Sequence, residues 1–249
     1  MLKRLFDWLY APVAGTVFFV SSVVVCTIVI VGPTLAIRRE LGRIGVRLML
    51  ASIGVPLTVK GREHLPEGAC VIVANHASYV DGLVLTAALP RRFNFVVQDG
   101  AASWPMIGLT LRRMGVIFVN RESAHSGAQL TRQLMRRLHH GESLAIFAEG
   151  TFKQDPGLLP FKTGAFLMAA RTGTHVVPAG IRGTRYLYGG GRKLPRWSPV
   201  QVEIQSPIAA DGKDRDAALR LRDLTRERVL ALCREPDLHL PQAIADAEG

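Results

Sequence analysis

From residue 11 to residue 37 the chain carries no charged side chain. The run reads Ala-Pro-Val-Ala-Gly-Thr-Val-Phe-Phe-Val-Ser-Ser-Val-Val-Val-Cys-Thr-Ile-Val-Ile-Val, then Gly32-Pro33 and Thr-Leu-Ala-Ile. About 20 apolar residues suffice for a helix to cross the hydrocarbon core of a bilayer, so the sequence predicts a membrane element. The run is too long for the core of a secretory signal and no Ala-x-Ala cleavage site follows it, so an anchor kept in the mature protein is expected. Gly32-Pro33 is positioned to break it in two. The second part, 34–54, sets Leu35, Leu41, Ile44, Leu48 and Leu50 against Arg38, Arg39, Arg43 and Arg47, a pattern suited to the lipid interface. A single span and a helical hairpin dipping into one leaflet both satisfy these residues. Lys3 and Arg4 flank the run on one side and four arginines on the other. The heavier side assigns the rest of the chain to the cytoplasmic face.

Beyond Val55-Pro56 the pattern changes to short apolar runs alternating with helical stretches. Strands are predicted over 57–60, 70–74, 93–97, 116–120, 144–148, 176–181 and 200–205. Helices are predicted over 80–89, 104–114, 127–140, 161–171 and 215–233. Near-continuous apolar strands separated by helices specify an α/β fold, a mostly parallel sheet flanked by helices. The expected organisation is a membrane anchor of one or two helices over 1–55, an α/β domain over 56–233 and a polar, loosely ordered tail over 234–249. Lys and Arg exceed Asp and Glu by 31 to 20, for a net charge of +11, which suits an anionic partner such as a phospholipid headgroup or a phosphorylated substrate. Nucleic acid fits poorly: there is no aromatic stacking pattern, zinc spacing or helix-turn-helix signal. Three cysteines (Cys26, Cys70, Cys233) at unrelated spacings suggest neither a metal site nor a disulfide framework.

Chemistry-bearing residues gather where predicted strands end, the edge at which open α/β sheets bind ligands. Val71-Ile-Val-Ala delivers Asn75 and His76, and Ser78 and Asp81 follow where a helix is due to start. That turn brings the Asp81 carboxylate within reach of the imidazole. Asp81 then holds one ring nitrogen as a donor and leaves the other free to take a proton from an alcohol. A second strand, 144–148, runs into Glu149-Gly150-Thr151-Phe152, where a carboxylate and backbone donors could position a polar acceptor or a developing oxyanion. Between them, the strand 116–120 ends at Arg121, whose guanidinium suits a phosphate.

The blocks Asn75-His76-x-Ser78-x-x-Asp81, Gly115-x-Ile117-Phe118-Val119-Asn120-Arg121, Glu149-Gly150-Thr151 and Val177-Pro178 resemble the four motifs of the glycerolipid acyltransferases. The likeness runs over roughly 55–210, and the apolar N-terminal element is similar to that of bacterial members, which implies an inner-membrane location. It implies direct transfer of a fatty acyl group, from acyl-CoA or acyl carrier protein as co-substrate, to the hydroxyl of a lysophospholipid such as 1-acylglycerol-3-phosphate. His76 and Asp81 would be the catalytic pair. Asn75, Ser78, Arg121, Glu149, Gly150 and Thr151 would bind substrate. No metal and no organic cofactor is implied; membrane lipids are the expected surroundings. Two positions depart from the pattern: Phe152 stands where arginine is usual, and Asn120 where aspartate is. Lys153, Lys162 and Arg182 are the cations that could take over from the missing arginine, or the acceptor could carry another headgroup.

Two rival readings keep the same residues in view. A lipid hydrolase or thioesterase would need a nucleophile; Ser78 is near, but no Gly-x-Ser-x-Gly elbow is present. A nonenzymatic basic lipid-binding module would account for charge and anchor, and leave the His76–Asp81 spacing without purpose.

Overall fold

The computed structural model describes residues 2–119, 124–189, 191 and 194–238. Seven strands form one sheet: β1 (Leu57–Lys60), β2 (Cys70–Ala74), β3 (Phe93–Gln98), β4 (Ile117–Val119), β5 (Ser143–Phe147), β6 (His175–Arg182) and β7 (Val200–Ile204). Their spatial order is β1-β7-β6-β2-β5-β3-β4. All neighbouring pairs are parallel except β6 and β7. The expected α/β fold with a mostly parallel sheet is therefore present, and all seven predicted strands appear, shifted at their ends by at most a residue or two.

The central strand β2 is buried at every position. Its alternation divides the core: Cys70, Ile72 and Ala74 join one apolar cluster and Val71 and Val73 the other. Against the first face pack α1 (Leu2–Val31), α2 (Leu35–Ser52) and α3 (Asp81–Ala88), through residues such as Met49, Leu50 and Leu85. Against the second pack α5 (Ala124–His139), α6 (Gly164–Thr172) and α8 (Arg215–Cys233), through Leu138, Phe166 and Val229. Two further helices, α4 (Pro105–Arg113) and α7 (Thr184–Tyr188), follow β3 and β6. The five predicted helices of this part all form; α7 lacks a sequence signal because five residues carry too little periodicity to read.

At the N-terminus, Gly32-Pro33 separates α1 from α2, which Thr34 caps by accepting from the Ile37 amide. The two helices pack closely as a hairpin: a Cβ on Gly45 would lie 2.7 Å from Val25 Cγ1. Within α1 the stretch Asp7–Val31 has a mean hydropathy of 2.5 and only 11 % of its most apolar window is buried, so by length and composition it can associate with a membrane. Trp8, Val13, Phe19, Val20, Val24 and Ile28 are among its exposed apolar residues. Hydrogen bonds hold α1 to the end of α2 and to α4. Tyr10 donates to the Ile53 carbonyl at 2.9 Å, and Arg113 donates to the Ile30 carbonyl at 2.9 Å.

One expectation needs correction. The start of the C-terminal tail is not loose. Glu235 accepts from Arg185 at 2.8 Å and from the Gly157 amide at 2.7 Å, and Asp237 pairs with Arg226 at 2.6 Å. Leu158 and residues 236–238 exchange backbone bonds. The composition of the tail is polar, but its acids meet basic residues that the fold brings to them. Residues 239–249 lie outside the described residues.

Candidate active site

Parallel pairing aligns the C-terminal ends of β2, β5 and β6. Ala74 sits opposite both Phe147 and Ala179. Two residues past that level lie His76 after β2 and Glu149 after β5, so the register itself brings the two predicted sites together. The His76 amide donates to Glu149 Oε1 at 2.6 Å, and the Leu159 amide donates to Glu149 Oε2 at 2.8 Å. Glu149 is 3 % exposed. Burial pushes its carboxyl up to about 7, with the two amide donors and Arg185 pulling it down and the Asp81 charge pushing it up.

Asp81 opens α3, where a carboxylate is favoured by the helix dipole. It is fully buried. Its Oδ2 accepts from His76 Nδ1 at 2.9 Å and from the amides of Ala77 at 2.6 Å and Ser78 at 2.7 Å. A carboxylate can only accept, so it fixes the proton on Nδ1 and leaves Nε2 with a lone pair. The imidazole is 19 % exposed. Phe147 stacks on it with ring centroids 4.2 Å apart, and Phe152 leans against it at 4.7 Å. Tyr79, 70 % exposed, meets Phe152 edge-on at 4.8 Å. The imidazole therefore sits among aromatic rings with part of its surface open.

Asn75 and Ser78, expected at the substrate, direct their polar atoms to protein partners. The Asn75 amide donates to the Ile181 carbonyl at 3.1 Å and accepts from the Ile181 amide at 2.7 Å, which locks β2 to β6 just behind His76. Ser78 is fully buried and its hydroxyl donates to the Tyr188 carbonyl. Gly150, at φ +79°, turns the chain after Glu149 and its amide donates to the Phe147 carbonyl at 3.1 Å. Thr151 is exposed on that turn. Arg121 and Asn120 lie outside the described residues. Arg182 is drawn away to Glu203 at 3.0 Å.

Several partners carried no sequence signal. Phe147 belongs to a strand whose apolar residues all look alike. Tyr79 and Phe152 meet only through the fold. The Leu159 amide is backbone, which a sequence motif cannot mark. Arg185 sits behind the Glu-Gly-Thr loop, donating to the carbonyls of Lys153 and Gln154 at 2.8 and 3.1 Å.

Known proteins resemble this arrangement. The chain is 34 % identical over 159 residues to a chloroplastic 1-acyl-sn-glycerol-3-phosphate acyltransferase of Brassica napus, covering 63 % of this chain and 46 % of that protein. It is 37 % identical over 120 residues to the lyso-ornithine lipid O-acyltransferase of Rhodobacter capsulatus, covering 48 % of this chain and 42 % of that one. The chain thus spans about half the length of these curated relatives. In fold it is similar to the crystal structure of the 1-acyl-sn-glycerophosphate acyltransferase PlsC from Thermotoga maritima, with a TM-score of 0.66, 20 % identity, and coverage of 93 % and 95 % of the two chains. The profile described as Acyltransferase matches residues 56–182. That stretch is just over half of the chain and runs from β1 through the His76 and Glu149 turns to the end of β6. By that match this chain belongs to the Acyltransferase family.

Proposed function

We propose that this protein transfers a fatty acyl group from a thioester, acyl-CoA or acyl carrier protein, to the free hydroxyl of a lysophospholipid, 1-acylglycerol-3-phosphate first among them. The observation that carries the reading is the His76–Asp81 pair, bonded at 2.9 Å on the ligand-binding edge of the sheet. His76 Nε2 takes the proton of the acceptor hydroxyl as its oxygen attacks the thioester carbonyl carbon. The carbon–oxygen bond forms, the carbon–sulfur bond breaks, and the imidazolium returns the proton to the departing thiolate. Asp81 stabilises that imidazolium without taking its proton. No acyl-enzyme is needed: Ser78, the serine nearest the base, is buried and committed to a carbonyl. Asn75, Ser78 and Glu149 hold the site in shape, while Gly150, Thr151 and Arg121 serve the acceptor.

The anchor over 1–55 lies in one leaflet on the cytoplasmic face of the inner membrane, beside the catalytic domain over 56–233. The bond from Arg113 of α4 to the Ile30 carbonyl, which ties the far end of α1 to the domain, supports this over a single span. The tail from 234 adds its first residues to the catalytic domain.

The test is acyl transfer by detergent-purified protein from labelled acyl-CoA and, separately, acyl carrier protein, to a panel of lysolipids. Label in phosphatidic acid from wild type, lowered about 100- to 10,000-fold in His76→Ala, is the expected result. Label in another lysolipid product keeps the chemistry and changes the acceptor. Release of free fatty acid without transfer refutes the reading.

A further inference from the structure

An acceptor that carries a phosphate needs a cation at the mouth of the site, and the walls around His76 are aromatic. The arginines at and just beyond the end of β6 are held by other partners. Arg182 is paired with Glu203; Arg185 is held by Glu235 through Nε and by two loop carbonyls through Nη1, and its remaining Nη2 is buried rather than open to an incoming ligand. Lys153 is exposed, and its carbonyl is the part that the loop ties down.

Lys162 differs. Its backbone amide donates to the Ala148 carbonyl at 2.8 Å, which lays residue 162 alongside the end of β5. Its side chain then crosses over Gly150: a Cβ added there would lie 2.7 Å from Lys162 Cε and 2.9 Å from Nζ. The ammonium therefore rests on the residue next to Glu149, whose carboxylate holds the His76 amide. It makes no hydrogen bond or ion pair with any described residue. Glu149, the neighbour of Gly150 in the chain, faces inward with both oxygens occupied by amides. Gly150 has no side chain to push the ammonium away, and residue 162 is exposed, so the charge stays hydrated until a ligand arrives.

We propose that Lys162 is an acceptor-headgroup ligand of this site in addition to Arg121, its ammonium over Gly150 binding the phosphate monoester of the lysolipid while the acyl-bearing glycerol presents its hydroxyl to His76. This rests on the acyltransferase reading. It makes Lys162 a specificity-determining residue: a charge-assisted bond to phosphate assists binding and leaves the proton transfer to His76 and Asp81.

The test has two parts. In steady-state transfer, Lys162→Ala raises KM for lysophosphatidate about ten- to a hundredfold with kcat within a few fold, and Lys162→Arg restores most of it. KM for the phosphate-free lyso-ornithine lipid stays at the wild-type value. In equilibrium binding with no acyl donor present, wild type holds lysophosphatidate more tightly than lyso-ornithine lipid, and Lys162→Ala narrows the difference. An unchanged KM for lysophosphatidate, or an equal rise for both acceptors, overturns the proposal. So does wild-type binding that does not distinguish the two lipids. Because the binding arm needs no turnover, loss of the acyltransferase reading and loss of the Lys162 assignment give separate results.

Discussion

Replacing Glu149 by glutamine isolates the one buried charge that bridges the two halves of the site. Glu149 accepts one amide on each carboxylate oxygen, from His76 at 2.6 Å and Leu159 at 2.8 Å. In the unfolded chain the carboxyl ionises near its ordinary 4.5, whereas in the fold burial first, then the Asp81 charge, hold it at about 7. Between those values the unfolded chain gives up its proton and the folded protein keeps it. Stability therefore falls as pH rises from about 4.5 to about 7 and stays at the lower level above. At ~1.4 kcal/mol per unit the difference amounts to about 3 kcal/mol. The glutamine side chain cannot ionise, so in Glu149→Gln this loss disappears. The variant instead carries a fixed penalty, because its amide nitrogen must face one of two amide donors. One unsatisfied buried donor costs about 1–3 kcal/mol at every pH.

Near pH 5 the variant should thus be less stable than wild type, and by pH 8 it should have gained about 3 kcal/mol on it. For a chain of this size 1 kcal/mol moves the melting temperature by roughly 2–4 °C, so the gap between the two proteins shifts by roughly 6–12 °C. Paired thermal melts in one detergent at pH 5, 6, 7 and 8 read this directly. A gap that is the same at pH 5 and pH 8 would refute the reasoning, since it would mean that Glu149 ionises in the fold as it does in the unfolded chain.

Asp81→Asn keeps the shape of the site while removing the acceptor that fixes the His76 tautomer; turnover should fall about 100- to 10,000-fold with an unchanged far-ultraviolet spectrum. Turnover within threefold of wild type would remove Asp81 from the catalytic pair. The one-leaflet anchor predicts that Asp7→Cys and Lys213→Cys, each in a background with Cys26, Cys70 and Cys233 replaced, react with a membrane-impermeant thiol reagent from the same side of sealed vesicles. Labelling from opposite sides would establish a single span.

The sequence carried the local half of this protein. The uncharged run over 11–37, the seven apolar strands and the five-residue spacing from His76 to Asp81 are short-range patterns, and each depends on residues that are close in the chain. The helix break at Gly32-Pro33 was legible for the same reason. What the sequence left open were encounters between distant residues. Glu149 meets the His76 amide across 73 positions because β2 and β5 pair in a register that no local pattern specifies. The order of the strands, with β7 turned against β6, follows from packing on both faces of the sheet. Arg182 and Lys162 looked interchangeable in sequence, and only the fold gave one a carboxylate and the other a glycine with no side chain to displace it. The polar tail read as loose because its acids had no partner nearby in the chain; Arg185 and Arg226 reach them from 50 and 11 residues away. Long-range electrostatics and ladder register arise once the chain has folded, and they decide which of the charges written in the sequence remain free to act.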